Sequence, residues 1–147
     1  MAEFYVALSA VEMARQAADL LNKNNQLYTT HNAGTLQTSD AKYFTEIYGS
    51  KVVGCAALLK ETSGLSKIFH ICVDNAYRRK GIAKKLVCLA IDNCETDLIY
   101  MTIREDNIPS LTLAASLGFV FAEQKWSRDH WVYTVGRAKH AQSTKVF

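Results

Sequence analysis

Apolar positions along this chain switch between short, nearly continuous runs and a three-and-four spacing, and the switches divide it into strands and helices. Residues 3–8 read as a first strand. Ser9 with Glu12 three residues later forms a capping box ahead of Val11, Met13, Ala14, Ala17, Ala18, Leu20 and Leu21, so a helix is expected to end within residues 22–25. Residues 26–40 turn to Thr, Asn, Gly, Ser and Gln with weak period, which predicts a loop with room for one short helix. A loop of about 15 residues in a compact domain usually binds something. Residues 43–48 and 52–59 then form a hairpin across Gly49-Ser50.

The middle of the chain carries the strongest pattern. Residues 68–73 are apolar and rich in β-branched side chains, the mark of a strand covered on both faces, and the run stops at Asp74-Asn75. From Ile82 the period changes: Ile82, Leu86 and Ala90, with Ala83, Val87, Ile91 and Cys94, line one side of a helix. Residues 98–103 read as a second fully buried strand. Strand, helix, strand in this order implies a parallel pair joined by a right-handed crossover. Asp106 or Asn107 caps a further helix of about ten residues, with Pro109 in its first turn, Gly118 as a left-handed cap and Phe119 packing back. Residues 119–126 and 131–135 make a last hairpin around Ser127-Arg128-Asp129. The expected fold is α/β (α+β): a mixed, mostly antiparallel central sheet of about six to seven strands with flanking helices and one parallel pair. Residues 1–136 form one domain, and residues 137–147 a loosely ordered tail.

Composition narrows the class. A chain of 147 residues with 49% hydrophobic content, one proline and no run of roughly 18 apolar residues fits one domain with its own core and no membrane span. The first residues lack a basic segment and a long apolar segment, so they read as a strand rather than a signal peptide. Cys55, Cys72, Cys88 and Cys94 fall inside elements without Cys-x-x-Cys spacing and are expected as reduced core thiols of a cytoplasmic protein. His31, His70, His130 and His140 are scattered, so no metal site is expected. Residues 1–73 hold six cationic and six acidic groups, residues 74–147 eleven and eight. That excess is too small to signal a nucleic-acid partner.

The excess has an address. Arg78, Arg79, Lys80, Lys84 and Lys85 surround Gly81, which falls at the first turn of the helix beginning at Ile82. Such a turn has unpartnered N–H groups and the positive end of the helix dipole, and a glycine lets an anion approach the backbone. A phosphate or pyrophosphate is the expected ligand. A merely solvated basic helix start is the alternative.

With the order of elements in place, the chain resembles a GNAT N-acetyltransferase over most of its length. The family's central motif, a glutamine or arginine, two residues, glycine, one residue, then glycine or alanine, matches Arg78, Gly81 and Ala83 after a strand ending in Val73. Its next motif, an asparagine opening a short helix that ends in Gly-Phe, matches Asn107 and Gly118-Phe119, about 25 residues on. The resemblance implies acetyl-CoA in a cleft where residues 68–73 and 98–103 splay apart. The backbone of Ile71, Cys72 and Val73 would pair with the pantetheine amides like an added strand. The amides of Arg79, Lys80, Gly81, Ile82, Ala83 and Lys84 would cradle the pyrophosphate, and Asn107 would bond the pantetheine arm unless it is simply a helix cap. The acceptor, a small-molecule or protein amine, would meet a wall formed by residues 26–40.

The sequence departs from the family where protons move. Many members carry a tyrosine four residues before the Gly-Phe, and this chain has Ala114. Ribosomal-protein acetyltransferases often carry a glutamate five residues before the asparagine, and this chain has Thr102. Replacement candidates are His70 as a base of near-neutral pKa, Tyr133 as the acid and Glu46 facing the acceptor amine. Their plain readings are a packed strand histidine facing away from the cleft, a core aromatic and the cross-strand partner of a lysine. Two functions stay open: transfer of an acetyl group from acetyl-CoA to a primary amine, or a non-catalytic protein of this fold that binds acyl-CoA or a partner. The oligomeric state is open as well, a homodimer included.

Overall fold

The computed structural model describes residues 7–24 and 29–140; the expected first strand, residues 3–8, falls mostly outside them. Ser9 opens α1 (Ala10–Asn24), its Oγ accepting from the Glu12 N–H at 3.1 Å. The reciprocal half of the expected box is replaced: the Glu12 carboxylate binds Arg15 at 2.6 Å. The short helix within the polar loop is α2 (Ala33–Gln37), and here Asn32 and Thr35 do form a capping box. β1 (Lys42–Tyr48) and β2 (Lys51–Lys60) follow as a hairpin whose turn residue Gly49 has φ +63°.

β3 (Leu65–Val73) starts three residues before the apolar run, because Ser66 is buried with a polar partner and so is invisible to a hydrophobic pattern. After a single 3-10 turn at Asn75–Tyr77 come α3 (Ile82–Asn93), β4 (Leu98–Arg104), α4 (Ile108–Ser116), β5 (Val120–Ser127) and β6 (His130–Ala138). The sheet order is β1-β2-β3-β4-β6-β5, with β3 parallel to β4 and the other neighbours antiparallel. The mixed, mostly antiparallel sheet is as expected, with six strands among the described residues.

Helices cover the two faces. α1 and α2 pack Ala17, Leu21 and Leu36 on Val52, Cys55 and Cys72. On the opposite face α3 and α4 pack Val87, Ala90 and Ala114 on Ile68, Ile99, Met101 and Ile103. β4 is therefore not buried on both sides as its apolar run suggested: Leu98 and Thr102 are exposed between the inward residues, because α1 and α2 lie over β2 and β3 and leave that part of the face open. α4 ends in a Schellman turn at Gly118 (φ +83°), with Phe119 N–H on the Ala114 carbonyl and Gly118 N–H on the Ala115 carbonyl. β6 continues two residues past Gly136, since Arg137 and Ala138 pair with Ile99 and Leu98. Cys55, Cys72 and Cys94 are buried, Cys88 only partly, and none forms a disulfide. No described helix is long and apolar enough to cross a membrane.

Candidate functional site

β3 and β4 pair only at Leu65–Leu98, Ser66–Ile99 and Lys67–Tyr100. Both strands run on beyond that point, β3 to Val73 and β4 to Arg104, without pairing. They diverge as a V whose inner edges carry backbone groups that no neighbouring strand takes. The vertex is held by a buried polar cluster: Thr96 Oγ1 lies 2.7 Å from Ser66 Oγ, 2.9 Å from the Leu98 carbonyl oxygen and 3.3 Å from Cys94 Sγ. The Lys139 ammonium donates to the Cys94 carbonyl beside it. Sequence reasoning missed this lock, because Ser and Thr at the ends of apolar runs read as turn chemistry.

The far arm of β3 contains a bulge. Cys72 pairs with Cys55 and Phe69 with Ala57, so two residues of β3, His70 and Ile71, stand against Ala56 alone. His70 takes up the extra length with φ +52°. Phe69 and His70 consequently turn to the same face, that of α1 and α2, while Ile71 turns to α3 and α4. The His70 ring meets Tyr43 Oη through Nδ1 at 2.9 Å and stands edge-on to His31 at 4.9 Å between centroids. Lys67 lies over Phe69 and Tyr100, each ring centroid 5.8 Å away.

These surroundings correct the expected chemistry of His70. Desolvation, followed by His31 and Lys67, lowers its pKa to about 4, so the imidazole is neutral at pH 7 rather than poised there. Burial raises the Tyr43 phenol to about 12, so it stays protonated and shares a hydrogen bond with Nδ1 whose direction follows the imidazole tautomer. A folded-state pKa below the unfolded value near 6.5 means that the unfolded chain binds more protons between the two. Stability is thus present above about pH 6.5 and is lost as pH falls through about 4. Thermal melts across that window should show the decline, and His70→Asn should make it shallower; an unchanged slope would remove His70 as its source.

The other arm of the site is the loop into α3. Arg79 has φ +65° and Gly81 has φ +77°, and Gly81 is the N-cap with no side-chain hydrogen bond to the first turn. The first N–H groups of the helix are left to an external acceptor, and alternating left-handed residues turn such groups into a concave anion seat. No atom lies within 4 Å of where a Cβ on Gly81 would stand. The place is open, and Arg78, Arg79, Lys80 and Lys84 around it are exposed. Arg78 also donates from Nε to the Val73 carbonyl at 3.2 Å, joining the loop to the end of β3. Backbone donors, an open approach and cationic side chains at the end of an unpaired strand edge fit a pyrophosphate followed by an amide-bearing arm.

Residues 10–119 match the model of the acetyltransferase (GNAT) family. The chain belongs to that family. It superposes on the ribosomal-protein-S18-alanine N-acetyltransferase of Escherichia coli with a TM-score of 0.76 at 16% identity, covering 97% of each chain. YncA of Salmonella typhimurium, solved with its cofactor acetyl-CoA, gives 0.73 at 16% identity over 93% of this chain and 94% of its own. A GNAT acetyltransferase of Elizabethkingia anophelis with acetyl-CoA bound gives 0.64 at 16% identity over 82% and 88%. At such identities the likeness shows the GNAT fold. No curated protein sequence gives a significant match.

The GNAT motif residues divide between the two arms. Asn107 is the N-cap of α4, its Oδ1 accepting from the Ser110 N–H at 3.3 Å, so the plain cap is what its carbonyl does while its amide NH2 is not used by the cap. Cys72 turns its thiol away to the Leu20 carbonyl, leaving only its backbone for the cleft. The expected proton carriers are not brought together. His70 is on the α1 and α2 face; Tyr133 stands opposite Ile103, on the α3 and α4 face, edge-on to Phe121 at 5.7 Å. Glu46, expected at the acceptor, pairs across from Gly54 on the α3 face and binds Lys85 at 2.9 Å. The plain reading expected a lysine across the strands; the lysine that Glu46 binds is instead on α3, and its cross-strand neighbour is Gly54. Ala114, at the usual GNAT tyrosine position, is buried in the core, and Thr102 is exposed on the face that holds His70.

Proposed function

We propose that this protein is an N-acetyltransferase that moves an acetyl group from acetyl-CoA to a primary amine at the β3–β4 cleft. The observation that carries the reading is the V between those strands ending in the uncapped, glycine-led start of α3. Acetyl-CoA supplies the acyl group as a reactive thioester. The chain's own residues do the rest: the free edge of Ile71, Cys72 and Val73 binds the pantetheine amides, and the amides from Arg79 to Lys84 hold the pyrophosphate. The Asn107 amide NH2 is placed at the start of α4 to donate to the same arm. On the α1 and α2 face, the neutral His70, held by Tyr43 and flanked by His31, forms the acceptor wall together with residues 29–32 before α2. It orients the amine by hydrogen bonding, and the amine's proton leaves to solvent; positioning then supplies most of the acceleration. Tyr133 remains the phenol on the cofactor side. Four cysteines without a disulfide support a cytoplasmic location.

A second reading, acyl-CoA binding without transfer, is favoured by Ala114 and Thr102, which cannot carry protons at the two usual family positions. One experiment separates them. Free-thiol release is followed with acetyl-CoA and a panel of amines, peptides and polyamines, beside a thermal-shift titration with acetyl-CoA. Stabilisation with acceptor-dependent thiol release is expected. Stabilisation without release on any acceptor favours the second reading, and no stabilisation at millimolar acetyl-CoA sinks both.

A further inference from the structure

β5 is the outer strand of the sheet, and every residue from Val120 to Trp126 is exposed. Large apolar groups collect there: Val120 is 67% exposed, Phe121 60% and Trp126 58%, with Trp131 on β6 at 36%. A long open edge carrying such groups pairs with another strand unless its charges forbid it. The charges on β5 allow one kind of partner. Glu123 and Lys125 flank Gln124 on one face of the strand, opposite Thr134 and Val132, and lie 3.4 Å apart.

We propose that β5 is a dimer interface, on which two copies of this chain join their sheets edge to edge, antiparallel, about a two-fold axis at Gln124. In that register Glu123 of each copy stands directly opposite Lys125 of the other, twice per dimer. Trp126 then opposes Ala122, a large side chain against a small one. Moving the axis to Lys125 or to Glu123 sets like charges opposite each other, so the charges select the register as well as the partner. The bulge between Phe121 and Glu123 bends the strand and ends the new ladder at Ala122, so that by the two-fold it runs over residues 122–126. An isologous contact of this kind closes on itself and yields dimers rather than fibres.

The test is sedimentation velocity on the full chain over a range of micromolar concentrations. The wild type should be a dimer. Glu123→Lys and Lys125→Glu should each weaken dimerisation at least about tenfold, because either variant turns two attractive cross-strand pairs into repulsive ones. Mixing the two variants should restore a dimer, now a heterodimer, and the double swap Glu123→Lys/Lys125→Glu in one chain should restore a homodimer. Those two rescues distinguish loss of the interface from loss of the fold. A wild type that stays monomeric throughout, whether its edge remains open or awaits a different strand, overturns the proposal. So do single variants that remain dimeric, or a mixture that remains monomeric.

Discussion

Replacing Gly81 with glutamate is expected to abolish the thermal stabilisation that acetyl-CoA gives the wild-type protein, while the fold survives. Gly81 adopts φ +77° at the start of α3, and nothing lies within 4 Å of an added Cβ, so the new side chain meets no clash. The left-handed backbone costs a non-glycine residue roughly 1–2 kcal/mol. A carboxylate next to uncapped N–H groups returns part of that by interacting with the helix dipole, and it thereby occupies the place the pyrophosphate needs. In the wild type, ligand at a hundredfold excess over Kd stabilises by about 2.7 kcal/mol, a shift of several degrees for a domain of this size. The shift should vanish in Gly81→Glu and persist in Gly81→Ala, which carries the same backbone penalty without the charge. A glutamate variant that keeps the full shift would show that the pyrophosphate is not seated here.

Why this loop was readable from the sequence, when the acceptor side was not, follows from what a sequence period reports. Alternation and three-and-four spacing tell which face of an element is buried, and Ile82, Leu86 and Ala90 did so for α3. They are silent on which edges pair. The separation of β3 from β4 after Lys67 and Tyr100 left no mark in either apolar run. The bulge is written only as the break in alternation at Phe69-His70-Ile71, and a histidine there looks like any polar strand residue until Tyr43 and His31 are seen around it. The same neighbours set its pKa, since desolvation is a property of the packed surroundings and not of the residue type. Glu46 misled for a related reason: strand position gave its face only relative to its neighbours, and Lys85 lies 39 residues away. The anion seat at Gly81, in contrast, was legible because a glycine at the period change marks the first turn of a helix, where N–H groups lack partners; its left-handed backbone came only with the structure.

Gly54→Val and Leu86→Ala are each expected to destabilise the protein, and together to do so by less than their sum. Gly54 on β2 faces α3, where an added Cβ would stand 2.9 Å from Ile82 Cγ2, 3.1 Å from Leu86 Cδ1 and 3.4 Å from the Cys72 carbonyl. No Cβ tolerates the first of these distances, so the helix start must move. Overpacking of this kind costs about 1–3 kcal/mol. Leu86 is 1% exposed in the cluster with Val53, Ala56 and Ile82, and truncating such a leucine costs about 2–5 kcal/mol for lost burial and the cavity left behind. In the double variant the valine fills part of that cavity and one of its two side-chain clashes is gone, so denaturation should show a favourable coupling on the order of 0.5–3 kcal/mol. The clash with Ile82 remains, and Ile82 directly follows Gly81. Gly54→Val should therefore also weaken acetyl-CoA binding, even in the background where Leu86→Ala has recovered stability. If the two losses simply add, the glycine is not what sets the depth of α3. If stability couples but binding is untouched, the seat for the pyrophosphate does not depend on how closely the helix start approaches β2.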